Sequence, residues 1–178
     1  MKKIISFSLM CFLLSSPLTP VYAENVSYSN EILCIEEAIY VGETDNAEIG
    51  FAIFDKDVDT SDSKESRAYS SKSKTKEGYF YLKSNNDILG KFDCSATFSY
   101  DGSICNTTSD SSSQWEVTDG WIVTDSSKRN QISPTYACVT GNFELYKKTL
   151  FGKESQSSAT INIYCTEKGV ITAEFNGD

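Results

Sequence analysis

Apolar residues that recur at every second position can share a core only as one face of a pleated strand, and most of this chain is written that way. The clearest stretch sets Phe92, Cys94, Ala96, Phe98 and Tyr100 between Lys91, Asp93, Ser95, Thr97 and Ser99. Ile49-Phe51-Ile53, Ile161-Ile163-Cys165 and Ile171-Ala173-Phe175 alternate likewise. Residues 78 to 82, Gly-Tyr-Phe-Tyr-Leu, are apolar on both faces, as expected of a more central strand. Tyr136 to Lys147 reads as one or two strands with a bend near Gly141. Segment 28–41 carries both helical and strand spacings and is read as strand.

Turn chemistry adds to this. Asp119-Gly120 lies between Trp115-Glu-Val-Thr and Trp121-Ile-Val-Thr, the pattern of a tight hairpin. Asp101-Gly102 marks a second turn. Residues 55–77, rich in Asp, Ser and Lys, and residues 106–113, rich in Ser and Thr, have too little apolar surface to offset ordering entropy and are expected to be long loops. The expected fold is all-β: a single antiparallel β-sandwich or small barrel of about eight to nine strands, stapled by disulfides and carrying long polar loops.

The N-terminus predicts export. Lys2 and Lys3 precede an apolar run from Ile4 to Leu14, and Val21-Tyr22-Ala23 suits a cleavage site. Residues 1–23 are therefore expected to be a signal peptide and residues 24–178 one secreted or periplasmic domain. Cys11 does not indicate a lipoprotein, because Phe12-Leu13-Leu14 continues the apolar run past it. Removal of Lys2 and Lys3 leaves 14 basic side chains against 25 acidic ones, a net charge of −11. Such a surface repels phosphate backbones and anionic headgroups, so nucleic acid and membrane are disfavoured and a basic protein is the natural partner.

The chain contains no histidine, which removes the commonest general base and every imidazole ligand. No catalytic, cofactor-binding or metal-binding residue is assigned. Asp55, Asp57 and Asp59 begin a calcium-loop pattern, but Thr60 stands where glycine is needed and Glu65 falls one position early. Ser61-x-x-Lys64 and Ser71-x-x-Lys74 have acyl-transfer spacing, but such a lysine must be buried on a helix, and these lie in a charged loop. Asn25 and Asn106 match the glycan-acceptor pattern and are expected to be idle in an exported bacterial-type protein.

Five cysteines follow the leader: Cys34, Cys94, Cys105, Cys138 and Cys165. In an exported chain they predict disulfides. Cys138 and Cys165 lie symmetrically about Phe151-Gly152, so a hairpin closing there sets them opposite each other. Cys94 is assigned to Cys105, with Cys34 left over; that bond needs an irregular Asp101-Gly102 turn, and a regular one favours Cys34 with Cys94.

These features point to a binding domain rather than an enzyme. The leading expectation is an inhibitor or immunity protein directed at a cationic cell-wall hydrolase or toxin. The alternatives are a surface or colonisation factor or fimbria-like subunit, and a glycan hydrolase using two carboxylates. The expected contact is the hairpin face carrying Trp121 and Val123, with Glu116 adjacent and Asp119 at its tip.

Overall fold

Alternation along the chain becomes nine strands in two antiparallel sheets in the computed structural model, which describes residues 35–56 and 69–178. A short 3-10 turn, Ile35–Glu37, leads into β1 (Tyr40–Glu43), β2 (Ile49–Lys56), β3 (Ser70–Leu82), β4 (Ile88–Tyr100) and β5 (Cys105–Trp115). These form the first sheet in sequential order. The second sheet holds β6 (Trp121–Ser133), β7 (Tyr136–Thr149), β8 (Gly152–Thr166) and β9 (Ile171–Gly177), again in order. The strand over 78–82 is central as expected, since β3 lies third of five. Segment 28–41 is described only from Ile35, where it is a 3-10 turn followed by the start of β1.

The inward faces of both sheets share one core. Phe51, Ile53, Phe80, Phe92 and Phe98 come from the first sheet, and Val139, Phe143, Leu145, Ile161 and Ile163 from the second. Phe92 stacks on Phe143 across it at 4.3 Å between ring centroids. The sheets approach closely at Gly141, where a Cβ would come within 2.7 Å of Cys94 Sγ. The outer face of the first sheet carries a smaller cluster of Ala52, Tyr79 and Tyr81, against which Ile35, Ala38, Phe54 and Ile88 pack.

Two expected loops are strands. Residues 70–77 belong to β3, where 75–77 pair with Lys56 to Phe54 on one side and the whole run pairs with Tyr100 to Asp93 on the other. Residues 106–113 belong to β5, paired along β4. Polar composition misled here because backbone pairing, not apolar burial, orders these segments. The β5 edge is then tied to the β6 edge by side chains. Ser112 Oγ donates to Asp125 at 2.7 Å, Ser127 Oγ and Arg129 Nε donate to Asp110, and Gln131 Nε2 donates to the Cys105 carbonyl at 2.7 Å. At the opposite edges, Tyr40 of β1 meets Phe175 of β9 with ring centroids 5.3 Å apart.

The four described cysteines, Cys94, Cys105, Cys138 and Cys165, are all buried and none is disulfide-bonded. The register separates both expected pairs. Thr149 pairs with Gly152 around a two-residue turn, and a bulge at Leu145/Tyr146 shifts the strands by one, so Ala137 faces Cys165 and Cys138 faces Tyr164. A one-residue offset puts a side chain on the other face of a sheet. Cys165 thus points into the core and Cys138 away from it. In β4 and β5, Cys105 pairs with Tyr100 across a four-residue connection. Cys94 lies six residues further along, roughly 20 Å away at strand rise. The expected leader, Cys11, Cys34, Asp57, Asp59 and Ser61 to Glu65 lie outside the described residues.

Candidate functional site

The Asp119-Gly120 pair makes a turn but not a hairpin. The Trp121 N–H donates to the Thr118 carbonyl at 3.0 Å, and Gly120 takes a φ of 89°, which glycine adopts without strain. The strands on either side of it belong to different sheets, because Thr118 is held to β4: its N–H donates to the Leu89 carbonyl and its hydroxyl to the Ile88 carbonyl. The chain therefore crosses from β5 to β6 at this corner.

That crossing rearranges the expected contact face. Val123 is 4% exposed in the shared core, and Trp121 and Val117 pack against that core from its margin. Neither Val123 nor the inward face of Trp121 is available to a partner. Glu116, 64% exposed, forms an ion pair with Lys91 at 2.6 Å on the first sheet. Asp119 is exposed at the corner. Trp115 lies under the Lys56 ammonium, 5.8 Å from its ring centroid. The sequence suggested one aromatic face with an acidic rim; the structure divides those residues between a core and two sheets.

A different apolar feature adjoins the same corner. The Lys148 N–H donates to the Gly120 carbonyl at 2.8 Å, and the Lys147 ammonium lies 5.9 Å from the Trp121 ring centroid. Three residues further on is the tip of the β7–β8 hairpin. There Leu150 is 97% exposed and Phe151 is 100% exposed. No other large apolar side chain among the described residues exceeds about half exposure, the next being Ile132 and Val170 at 54%.

The surroundings of this tip are cationic although the chain is acidic. Lys148 and Lys153 are direct cross-strand partners, and Lys147 faces Glu154 one rung below. Like charges placed opposite each other destabilise a strand pair. Lys153 leans over the Tyr146 ring, 3.6 Å from its centroid, which leaves Lys148 the cation nearest the tip with no such contact. Tyr146 itself donates to Glu144, and that hydrogen bond holds its phenol above the usual tyrosine range. The sequence signal for this site was Lys-Lys-Thr-Leu-Phe-Gly-Lys, residues 147–153, an apolar pair within a basic run. Its position at a hairpin tip was legible; its full exposure was not.

Among the described residues no cluster of three or more Cys, Asp or Glu is placed to hold a metal ion. Asp55, first of the expected calcium ligands, instead accepts from Lys74 at 2.8 Å and from Lys76. Comparison with known proteins finds no matching family model, no matching curated protein and no matching solved structure.

Proposed function

We propose that this chain is an exported, disulfide-stapled binding domain without catalytic chemistry of its own, and that it acts as a protein inhibitor through the β7–β8 hairpin tip. The observation that carries this reading is the fully exposed Leu150-Phe151 pair, set among Lys147, Lys148 and Lys153. Leaving two such side chains in water forgoes about 3–6 kcal/mol of burial, with no compensating contact within the fold. An exposed aromatic residue at a hairpin tip is also the kind of side chain that dominates interface energetics.

The charges specify the partner. The net charge of −11 left once Lys2 and Lys3 are removed draws in a basic protein at long range, while the lysines at the tip require carboxylates at the contact itself. A cationic glycan hydrolase has both properties, because its cleft holds a pair of catalytic carboxylates on an otherwise basic surface. The tip would enter that cleft with Phe151 in an apolar subsite and Lys148 against a carboxylate.

The test is inhibition of a cationic muramidase by the chain and by the Leu150→Ser/Phe151→Ser variant. Inhibition should weaken about 30-fold or more, the equivalent of a 2 kcal/mol hot spot, while thermal stability stays unchanged. Equal inhibition by both proteins, or none by either, rejects the reading. Sedimentation of the chain with phosphatidylglycerol vesicles, lost in the same variant, would assign the tip to an anionic lipid surface instead.

A further inference from the structure

Two of the buried cysteines sit at one corner where the two sheets meet. Cys105, the first residue of β5, and Cys165, near the end of β8, are both wholly buried in the shared core. Cys165 lies directly opposite Ala137 of β7, and the Pro134–Thr135 connection just before Ala137 holds the main chain at Cys105 and at Glu167, so both cysteines face one buried corner. The backbone of Cys105 is anchored to the second sheet as well. Its N–H donates to the Pro134 carbonyl at 2.9 Å, and its carbonyl accepts from Gln131 Nε2. Main-chain bonds from Gly102 N–H to the Glu167 carbonyl and from Glu167 N–H to the Thr135 carbonyl, both 2.9 Å, hold the same corner.

We propose that Cys105 and Cys165 are the pair that closes into a disulfide, joining the two sheets through their core. The proposal rests on the reading of the chain as exported, since that bond persists only in an oxidising compartment. The other described cysteines are placed elsewhere. Cys94 packs at Gly141, four residues or roughly 13 Å along β7 from Ala137, and Cys138 points to the outer face of the second sheet.

The chemistry is thiol–disulfide exchange with an oxidised dithiol carrier protein. One cysteine, as thiolate, attacks a sulfur of the carrier disulfide, forming a mixed disulfide and releasing one carrier thiolate. The second cysteine, as thiolate, attacks the first at the mixed disulfide. The internal S–S bond forms and the second carrier sulfur leaves. The chain loses two protons and two electrons, and the carrier ends as a dithiol. In the folded domain burial pushes both thiols up, Cys165 to about 12, so little thiolate is present there.

Two samples test this: the full chain exported by a host into an oxidising compartment, and the same chain refolded from denaturant in a glutathione redox buffer. Free thiols are alkylated and the product is cut with chymotrypsin, which separates the four described cysteines. The expected species is 101–115 joined to 165–175, two hydrogens lighter than the separate peptides. The Cys105→Ser and Cys165→Ser variants should each abolish it, whereas Cys94→Ser and Cys138→Ser should retain it. A crosslink of Cys105 or Cys165 to Cys34, Cys94 or Cys138 overturns the proposal, as does complete alkylation of both samples. The bond in the refolded sample alone upholds the pairing and rejects export. Inhibition through Leu150 and Phe151 is measured independently of either result.

Discussion

At the scale of single residues, the ion pair of Asp55 with Lys76 shows how charges are accommodated between the sheets. The Lys76 side chain is only 8% exposed and lies 5.8 Å from the Phe175 ring centroid, while Asp55 remains 41% exposed. Burial alone would raise the Asp55 carboxyl, but hydrogen bonds from Lys74 and Lys76 outweigh it and hold the group below its ordinary value. A depressed carboxyl stabilises the fold above its unfolded pKa of about 4 and ceases to do so as pH falls through the lower, folded value. Denaturant titrations between neutral and strongly acid pH should therefore show stability falling only below about pH 4, with a smaller fall in Asp55→Ala. At neutral pH Asp55→Ala should cost about 2 kcal/mol, because it strands a buried ammonium. Lys76→Met keeps the apolar stem beside Phe175 and leaves Asp55 its bond to Lys74, so it should cost less than about 1 kcal/mol. Equal losses from the two substitutions would show that the pair matters as a contact rather than as compensation of a buried charge.

At the scale of elements, alternation was legible wherever the core supplied the burial. The pattern at Phe92 to Tyr100 became β4, and the Ile161 and Ile171 runs became β8 and β9, because their inward side chains meet the opposite sheet. β5 was not legible. Its inward positions include Asp110 and Ser112, whose partners are Ser127, Arg129 and Asp125 on a strand of the other sheet. Such a polar ladder has no apolar period to detect, and it also guards an edge that would otherwise invite pairing with another chain. The hairpin predicted beneath Trp121 does not form for a related reason: Asp-Gly signals a turn but not whether the flanking strands pair, and here Thr118 is committed to β4. The hydrogen bonds from Ser127 and Arg129 keep the Asp110 carboxyl low. Asp110→Asn should cost about 1 kcal/mol, the typical net contribution of one such bond, and should speed amide exchange in β5 more than in β4. Uniform acceleration across both strands would mean that the ladder does not hold the edge by itself.

At the scale of the whole molecule, ladder pairing stays within each sheet and the sheets meet through side chains and a few main-chain bonds at the Cys105 corner, so whatever crosses the core decides how cooperatively they unfold. Close packing is one such element. Gly141 admits Cys94 so tightly that a methyl group there must displace the sulfur or part the sheets, and Gly141→Ala should cost about 1–3 kcal/mol. The proposed Cys105–Cys165 bond is the other. It closes a loop of about 60 residues, which in the chain-entropy account removes about 4 kcal/mol of disorder from the unfolded state. For a domain of this size that corresponds to a melting temperature lower by roughly 10 °C on reduction. The single variants Cys105→Ser and Cys165→Ser and the reduced protein should melt close together, since each lacks the same constraint. Their native β5 exchange rates should also agree, because the hydrogen bonds from Cys105 N–H to Pro134 and from Gln131 to the Cys105 carbonyl survive in all three. Calorimetry of the four samples checks the argument. An oxidised protein that melts no higher than its reduced form would mean that the corner is already fixed by its backbone bonds, and that the two cysteines share it without constraining the unfolded chain.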